Sequence, residues 1–251
     1  MMLTLLGAFG QEIAGLRRKM AIAEVIAGFG CSVYRGKLEG RDCLLVRTGM
    51  GKEQAESATQ LVLQRYPVTA MISLGFAGAL SSELTIGDVV VSSNMHCASG
   101  PEKGEGETET YQADASLLAL ASETAGEGVP RFRLGSGVTV RQLASSTQKM
   151  QALGIGLGAD VVDMESYWIA RIASARRVPF IAIRSVSDTT EQDVQPFDRI
   201  LTSDGRLLWK RAAVAFLLHP WNLINVFTLF RNTRHAERNL TAFVSDLVAR
   251  I

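Results

Sequence analysis

Three acidic residues stand next to apolar stretches of the sequence, where carboxylates are rare unless they have a partner or a function. Glu165 follows the apolar run at residues 161–164, and Asp188 ends the run at residues 180–188. Glu12 comes shortly after the first apolar run of the chain. Ligands of open α/β sheets bind beyond the carboxyl ends of the strands. Because each acid follows a predicted strand, the sequence predicts a ligand pocket lined by carboxylates from three strand ends.

Each acid also has a purely structural interpretation. Asp188 begins a turn-like Asp-Thr-Thr segment and could cap that turn. Glu165 could cap the following helix, where the helix dipole favours an acid, and Glu12 could be a first-turn acid for the same reason. Asp163 shares a strand face with Glu165 and is expected to form an ion pair or a cap. Asp160, Asp163 and Glu165 could also bind a divalent cation, although no histidine accompanies them. The residues alone leave these alternatives open.

Other kinds of site have weaker support. The segment Gly7-Ala8-Phe9-Gly10 lacks the full dinucleotide-binding fingerprint, and the glycines of residues 154–158 do not clearly follow a strand. The three cysteines are odd in number and not closely paired, which argues against a disulfide framework and fits a reducing compartment. Each lies in or beside an apolar run, so a catalytic thiol is disfavoured for all three: Cys31, Cys43 and Cys97.

Short β-rich runs alternate with helical stretches along most of the chain. This alternation predicts an α/β fold with three layers, α/β/α, around a mixed central sheet. The N-terminus lacks the basic region of a signal peptide and is expected to form the first strand. The predicted strands are residues 3–6, 31–34, 43–47, 68–74, 89–92, 137–140, 161–164 and 180–185. The predicted helices are residues 12–26, 52–66, 144–153 and 166–175.

The C-terminal segment, residues 206–251, differs from the rest of the single domain predicted for residues 1–251. It carries seven basic and two acidic residues, hence +5, while the other residues sum to −4. No nucleic-acid-binding motif accompanies this charge. Residues 212–230 are uncharged, but His219-Pro220 predicts a helix break, which disfavours a membrane span. We expect two short helices and a final helix at residues 236–251.

Five segments, in this order, resemble the nucleoside phosphorylase superfamily, and within it the methylthioadenosine/S-adenosylhomocysteine nucleosidases. The resemblance covers most of residues 3–200. Its segments are Gly7-Ala8-Phe9-Gly10-Gln11-Glu12-Ile13, Thr48-Gly49-Met50-Gly51-Lys52, Ser73-Leu74-Gly75-Phe76-Ala77-Gly78-Ala79-Leu80 with residues 86–90, Val162-Asp163-Met164-Glu165, and Arg184-Ser185-Val186-Ser187-Asp188.

The resemblance implies a role for each acid in releasing a purine from its sugar. Asp188 matches the acid that protonates the base at N7, Glu165 the residue that binds the ribose 2′-hydroxyl, and Glu12 the residue that activates water. Carboxylates would also stabilise the positive charge that develops on the sugar. Other matching residues are expected to line the substrate site or to support it: Met164, Arg184, Gly75, Phe76, Ala77, Gly78 and Ser187. The resemblance implies no metal and no cofactor, with inorganic phosphate as co-substrate if cleavage is phosphorolytic.

Two positions depart from the family pattern. Phe76 stands where these nucleosidases usually carry a small hydroxyl residue, and residues 138–142 offer no match for the adenine-stacking aromatic residue. The C-terminal segment is similar to that of the hopanoid-associated phosphorylase branch, to which removal of adenine from adenosylhopane is attributed. Residues 212–235 would then contact an anionic membrane surface, or form a dimer interface or a core helix pair. A cytoplasmic homodimer, peripheral to the membrane if that contact exists, is the expected state. A catalytically silent nucleoside-binding or membrane-associated protein is the alternative.

Overall fold

The computed structural model describes residues 2–28, 30–98, 109–124, 131–141, 147–189 and 222–251. These residues form ten strands and six helices. The strands are β1 (Met2–Gly7), β2 (Ala21–Gly28), β3 (Cys31–Leu38), β4 (Arg41–Arg47), β5 (Val68–Ala79), β6 (Val89–Ala98), β7 (Tyr111–Gln112), β8 (Phe132–Val140), β9 (Val161–Asp163) and β10 (Phe180–Asp188). The helices are α1 (Gly10–Lys19), α2 (Lys52–Arg65), α3 (Ala115–Thr124), α4 (Thr147–Leu157), α5 (Ser166–Ala175) and α6 (Asn222–Arg250).

All ten strands belong to one mixed sheet, as predicted from the sequence. Strand β5 pairs in parallel with β1 and β10 and antiparallel with β9. Strands β6 and β8 connect β10 to β9, so these five strands close into a ring. Strands β4, β3 and β2 continue the sheet outward from β1. Strand β5 therefore lies at the junction of the ring and the open sheet, and it is buried over most of its length.

Helices cover both faces of the sheet, which confirms the predicted three-layer architecture. One core cluster joins α1, α3 and α6 to the sheet through residues such as Leu16, Leu117 and Phe243. The opposite cluster joins α2 and α5 to the sheet through residues such as Val62 and Trp168. Strands buried on both faces read as continuous apolar runs rather than as alternating patterns, as β1 and β10 do here.

The predicted helix at residues 12–26 is wrong beyond Lys19. The chain leaves the helix at Met20, which has extended backbone angles, and residues 21–28 form β2. Three basic residues in the last turn of α1 favour the helix end there. The β-branched residues that follow favour a strand, and β2 pairs with β3 at the sheet edge. Val25, which lies within the predicted helix, is instead part of this strand, and its side chain is 57% exposed.

The C-terminal segment contains one long helix, α6, where two elements were expected. The helix runs without interruption past residue 236, so the predicted separate start of a final helix is wrong. The end of this helix presents an apolar stripe to the sheet, where Leu240, Phe243, Val244 and Leu247 are fully buried. The His219-Pro220 break, and the helix expected before it, lie outside the described residues. Helix α3 and strand β7 were not predicted from the sequence.

Candidate active site

Glu12 lies in the first turn of α1, directly after β1, and its carboxylate is held by two backbone groups. Oε2 accepts a hydrogen bond from the Phe9 N–H at 2.8 Å, and Oε1 accepts one from the Phe76 N–H at 2.9 Å. The first bond caps α1, as the structural interpretation of this acid anticipated. The second bond connects the carboxylate to β5 and lies outside the helix. The side chain is buried, so Glu12 joins α1 to the central strand of the sheet.

Gly75 makes room for the Glu12 carboxylate on β5. A Cβ atom at position 75 would lie 2.5 Å from Oε1 of Glu12, which is too short for a non-bonded contact between carbon and oxygen. Phe76 contributes its backbone N–H to this carboxylate, while its side chain packs against the core cluster beneath α1 and α6. The large Phe76 side chain therefore does not prevent the hydrogen bond between the Glu12 carboxylate and the backbone of β5.

Glu165 lies two residues beyond β9, at the N-cap position of α5, yet its side chain does not cap that helix. Instead Oε1 accepts a hydrogen bond of 2.7 Å from the backbone N–H of Gly51. Gly51 is the N-cap of α2 and has a φ of 88°, a conformation that favours glycine. The N-terminal ends of α2 and α5 thus meet at one buried carboxylate.

Arg184 is a buried cation of the site, and Asp163 is its ion-pair partner. The Nε and Nη2 atoms of Arg184 each lie 2.8 Å from Oδ2 of Asp163. The remaining donors of Arg184 bind the Ile183 carbonyl and the hydroxyl groups of Ser73 and Ser166. Both charged side chains are almost fully buried. A buried ion pair with satisfied donors is a rigid part of the framework, which agrees with the supporting role implied for Arg184.

Asp163 is both the ion-pair partner and the helix cap that were expected from the sequence. Its Oδ1 accepts hydrogen bonds from the backbone N–H groups of Glu165 and Ser166, each at 3.2 Å. The Thr139 hydroxyl on β8 donates to the same oxygen. Asp163 therefore fixes the start of α5, and with it the backbone position of Glu165.

The pKa values of Glu12 and Glu165 are both raised, chiefly because burial disfavours the ionised form. The pKa of Glu165 rises to about 8, since the negative charges of Asp163 and Glu12 add to the effect of burial. The hydrogen bond from Gly51 and the charge of Arg184 act in the opposite direction. Each of these two carboxyl groups is therefore influenced by the charge of Arg184, and Glu165 also by the charge of Glu12.

Asp188, the last residue of β10, lies at the far end of this site. Its Oδ1 accepts a hydrogen bond of 2.6 Å from the Ser187 hydroxyl, and a Cβ atom at position 78 would lie 2.8 Å from its Oδ2. Burial raises the pKa of Asp188, while the Ser187 hydrogen bond lowers it. The side chain remains partly exposed. A carboxyl group with a raised pKa and access to the exterior can donate a proton.

The three acids form two groups along β5. Glu12 contacts β5 at Gly75, and Asp188 contacts it at Gly78. Three residues of an extended strand span about 10 Å. Met164 lies at the edge of an apolar cluster formed by residues of β8, β9 and the end of β5. Ala77 lies between the two groups and accepts a hydrogen bond of 3.5 Å from Ser187.

The structure changes the account of how these acids come together. Glu12 and Asp188 follow parallel strands, as the sequence predicted, but β9 runs antiparallel to β5. Glu165 therefore reaches the site from the opposite direction. The contact of Ser166 with Ser73, at 3.2 Å between hydroxyl oxygens, fixes this approach.

Several supporting residues were not identified as such from the sequence. Gly51 orients Glu165, and its place in the segment Thr48-Gly49-Met50-Gly51 was the only signal. The hydroxyl groups that complete the framework were not singled out, although Ser73 opens one of the resembling segments, because isolated Ser and Thr residues are common in strands and helix caps. These residues are Ser73, Thr139 and Ser166.

Within the described ranges, no group of histidine, cysteine and acidic residues could hold a metal ion, and Asp160 instead pairs with Arg133. The three cysteines are free and buried. No helix in the described part of the chain is long and apolar enough to cross a membrane. Most of the segment proposed for membrane contact, residues 212–235, lies outside the residues whose side chains are described, and this contact stays a prediction.

Comparison with known proteins gives consistent results. The family model of the phosphorylase superfamily matches residues 3–208. The 5′-methylthioadenosine/S-adenosylhomocysteine nucleosidase of Tolumonas auensis is 32% identical over 199 residues, covering 75% of this chain and 86% of the relative. The Neisseria meningitidis nucleosidase of the same name superimposes with a TM-score of 0.79 at 21% identity, covering 100% of this chain and 99% of that chain. The futalosine hydrolase of Helicobacter pylori gives 0.80 at 17% identity, covering 100% and 98%.

Proposed function

The chain belongs to the phosphorylase superfamily, and we propose that it hydrolyses an adenine nucleoside with Glu12, Glu165 and Asp188 as its catalytic residues. It is an enzyme that cleaves the N-glycosidic bond of a purine nucleoside. The finer proposal rests on one observation. Glu12, whose negative charge acts on Glu165, contacts β5 at Gly75, and the partly exposed carboxyl group of Asp188 contacts the same strand at Gly78, about 10 Å further along. That span suits a nucleoside whose sugar lies near the pair and whose base lies near Asp188.

Each acid then has a defined step. Asp188 donates its proton to N7 of the purine, so that the base can leave with the electrons of the C1′–N9 bond. The ribosyl group becomes positively charged, and the nearby carboxylates stabilise that charge. Glu12 accepts a proton from water as the water oxygen bonds to C1′. Glu165 accepts a hydrogen bond from the ribose 2′-hydroxyl. The products are free adenine and the free sugar.

The polar contacts of the site favour water over phosphate as the nucleophile. A phosphate ion needs unengaged cationic donors, and guanidinium groups are suited to that task. The donors of Arg184 are instead engaged by Asp163, Ile183, Ser73 and Ser166. The buried carboxylate of Glu12 would also repel a phosphate dianion at the same place. Phosphorolysis is the alternative outcome of the test below.

The substrate class can be tested by measuring free adenine. The purified protein is incubated with methylthioadenosine, S-adenosylhomocysteine and an adenosyl lipid such as adenosylhopane, each with and without phosphate. We expect adenine from at least one substrate without phosphate, together with an equal amount of reducing sugar. The lipid substrate is included because the C-terminal segment is apolar and basic.

The possible results separate the hypotheses. Adenine release that requires phosphate and yields a sugar phosphate would replace hydrolysis by phosphorolysis. Release from the adenosyl lipid alone would assign the lipid-linked substrate. No adenine from any of the three, with the folded protein verified by circular dichroism, would contradict the proposal and favour a silent nucleoside-binding protein.

A further inference from the structure

A cluster of cations surrounds one buried indole ring close to Glu165. The ring of Trp168, on the first turn of α5, has the Lys52 ammonium group 4.7 Å from its centroid. The guanidinium carbons of Arg141 and Arg171 lie 5.7 Å and 5.9 Å from the same centroid. These distances fall within the range of cation–π attraction. The cluster brings together residues of α2, α5 and the segment that follows β8.

Lys52 differs from the two arginines because it directly follows a residue of the site in the sequence. It is the first residue of α2 and follows Gly51, whose N–H donates to Glu165. Arg171 is held separately, since it forms an ion pair with Glu56 of α2. Among these three cations, Lys52 is the one whose backbone lies one peptide bond from the donor that orients Glu165.

The position of Gly51 needs such support. Its φ of 88° is a conformation that favours glycine, the residue with the least restricted backbone, and no side-chain hydrogen bond caps the start of α2. A hydrogen bond weakens steeply when its geometry changes, and the bond from Gly51 favours the ionised form of Glu165. An ammonium group held over a buried, rigid ring restricts Lys52, and therefore restricts Gly51 next to it.

We propose that Lys52 and Trp168 are positioning residues, which hold the Gly51 N–H against Glu165 and thereby set how the sugar is bound. The catalytic part of this inference rests on the proposed function. The charged groups that face Glu165 from the neighbouring elements are Asp163, Glu12 and Arg184, and none of them changes in the test. Lys52 acts on Glu165 through the Gly51 backbone.

The test replaces Lys52 by Met, which keeps the length of the side chain and removes the charge. Lys52 is partly exposed, so the variant is expected to fold. Arg171→Met is the matched control, because it removes a cation from the same ring without altering the residue next to Gly51. Lys52→Arg should have the pKa of Glu165 and the KM of the wild type, since arginine keeps a cation over the ring.

Two measurements apply. The first is a carbon NMR titration of labelled glutamate carboxyl groups, with the Glu165 signal assigned by its loss in Glu165→Gln. Weakening a hydrogen bond that favours the ionised form raises the pKa of Glu165, by at least about half a unit in Lys52→Met. The second is steady-state kinetics, where KM should rise about three- to tenfold, the cost of a weakened hydrogen bond. Arg171→Met should change neither.

The outcomes are distinguishable from failure of the proposed function. The NMR titration needs no turnover, so a shifted Glu165 signal in an inactive protein would support the positioning role and contradict the catalytic proposal. An active Lys52→Met protein with the wild-type Glu165 pKa and KM would overturn the inference. An equal effect in Arg171→Met would also overturn it, because it would show that the cluster of cations only stabilises the fold in general.

Discussion

Replacing Gly75 by Ala tests whether the Glu12 carboxylate must lie where the structure has it. Gly75 has no positive φ, so alanine fits the backbone and only the added methyl group matters. That methyl carbon would lie 2.5 Å from Oε1 and 2.9 Å from Cδ of Glu12. An ordinary contact begins at 3.4 Å, so the carboxylate must retreat by about 0.9 Å. The neighbouring Phe76 N–H would then lose its acceptor at 2.9 Å.

The size of the effect follows from this displacement. A misplacement of about 1 Å in a catalytic group can cost about 100-fold in rate. In free energy this is about 2.7 kcal/mol of transition-state stabilisation, at 1.36 kcal/mol for each factor of ten. Because Glu12 is proposed to act on water and not to bind the substrate, kcat should fall about 100-fold while KM changes little.

The assay is adenine release by Gly75→Ala and by a control, Gly10→Ala. Gly10 is the first residue of the same helix, also has no positive φ, and a methyl group there would meet no atom within 4 Å. The control should keep wild-type kinetics and gain slightly in stability, since alanine favours a helix over glycine. A folded Gly75→Ala protein with wild-type kcat would refute the role of Glu12, and loss of activity in both variants would refute the steric argument.

Three further predictions address the other groups of the site. Asp188→Asn should stay folded and lose nearly all turnover, measured by adenine release, because an amide cannot donate a proton to the base; retained turnover would mean that another group is the acid. Asp163→Asn should lower the free energy of unfolding by about 3–5 kcal/mol in denaturant titration, because Arg184 is left as an unpaired buried charge. Since the pKa of Glu165 is raised from 4.5 to about 8, the folded state binds this proton more tightly, and stability falls as pH rises between those values. Relative to Glu165→Gln, the wild-type free energy of unfolding should fall by up to about 1.4 kcal/mol per pH unit in that window, and parallel stability curves would contradict the shifted pKa.

Some residues of the candidate site were easier to single out from the sequence than some elements of the fold. Glu165 and Asp188 could be singled out because a charged residue at the end of an apolar strand is conspicuous in any sequence. The order of the segments around them, compared with a known family, implied a role for each acid, and these roles stay predictions. The helix that was wrongly extended through Val25 shows the opposite case. Both helix and strand could bury part of that segment, and only the pairing of β2 with β3 decides between them.

The partners of the acids could not be predicted, because they are backbone groups or single hydroxyl groups contributed by distant elements. The N–H of Gly51 reaches Glu165 across 114 residues of sequence, and that of Phe76 reaches Glu12 across 64 residues. Every residue except proline has such an N–H group. A backbone donor therefore leaves no trace in the amino-acid types, and its use depends entirely on how the strands and helices are arranged.

The glycine residues nevertheless carry part of this information, for a physical reason. Each of the three proposed catalytic acids has a glycine against its carboxylate: Gly75 beside Glu12, Gly51 beside Glu165, and Gly78 beside Asp188. At positions 75 and 78 a Cβ atom would occupy the space of a carboxylate oxygen, and at position 51 the backbone adopts a conformation that favours glycine. A buried carboxylate needs donors at close range, and backbone N–H groups come closest where no side chain intervenes. The glycine-rich segments of this chain are therefore part of the site itself, since they allow β5 and α2 to contact the acids directly.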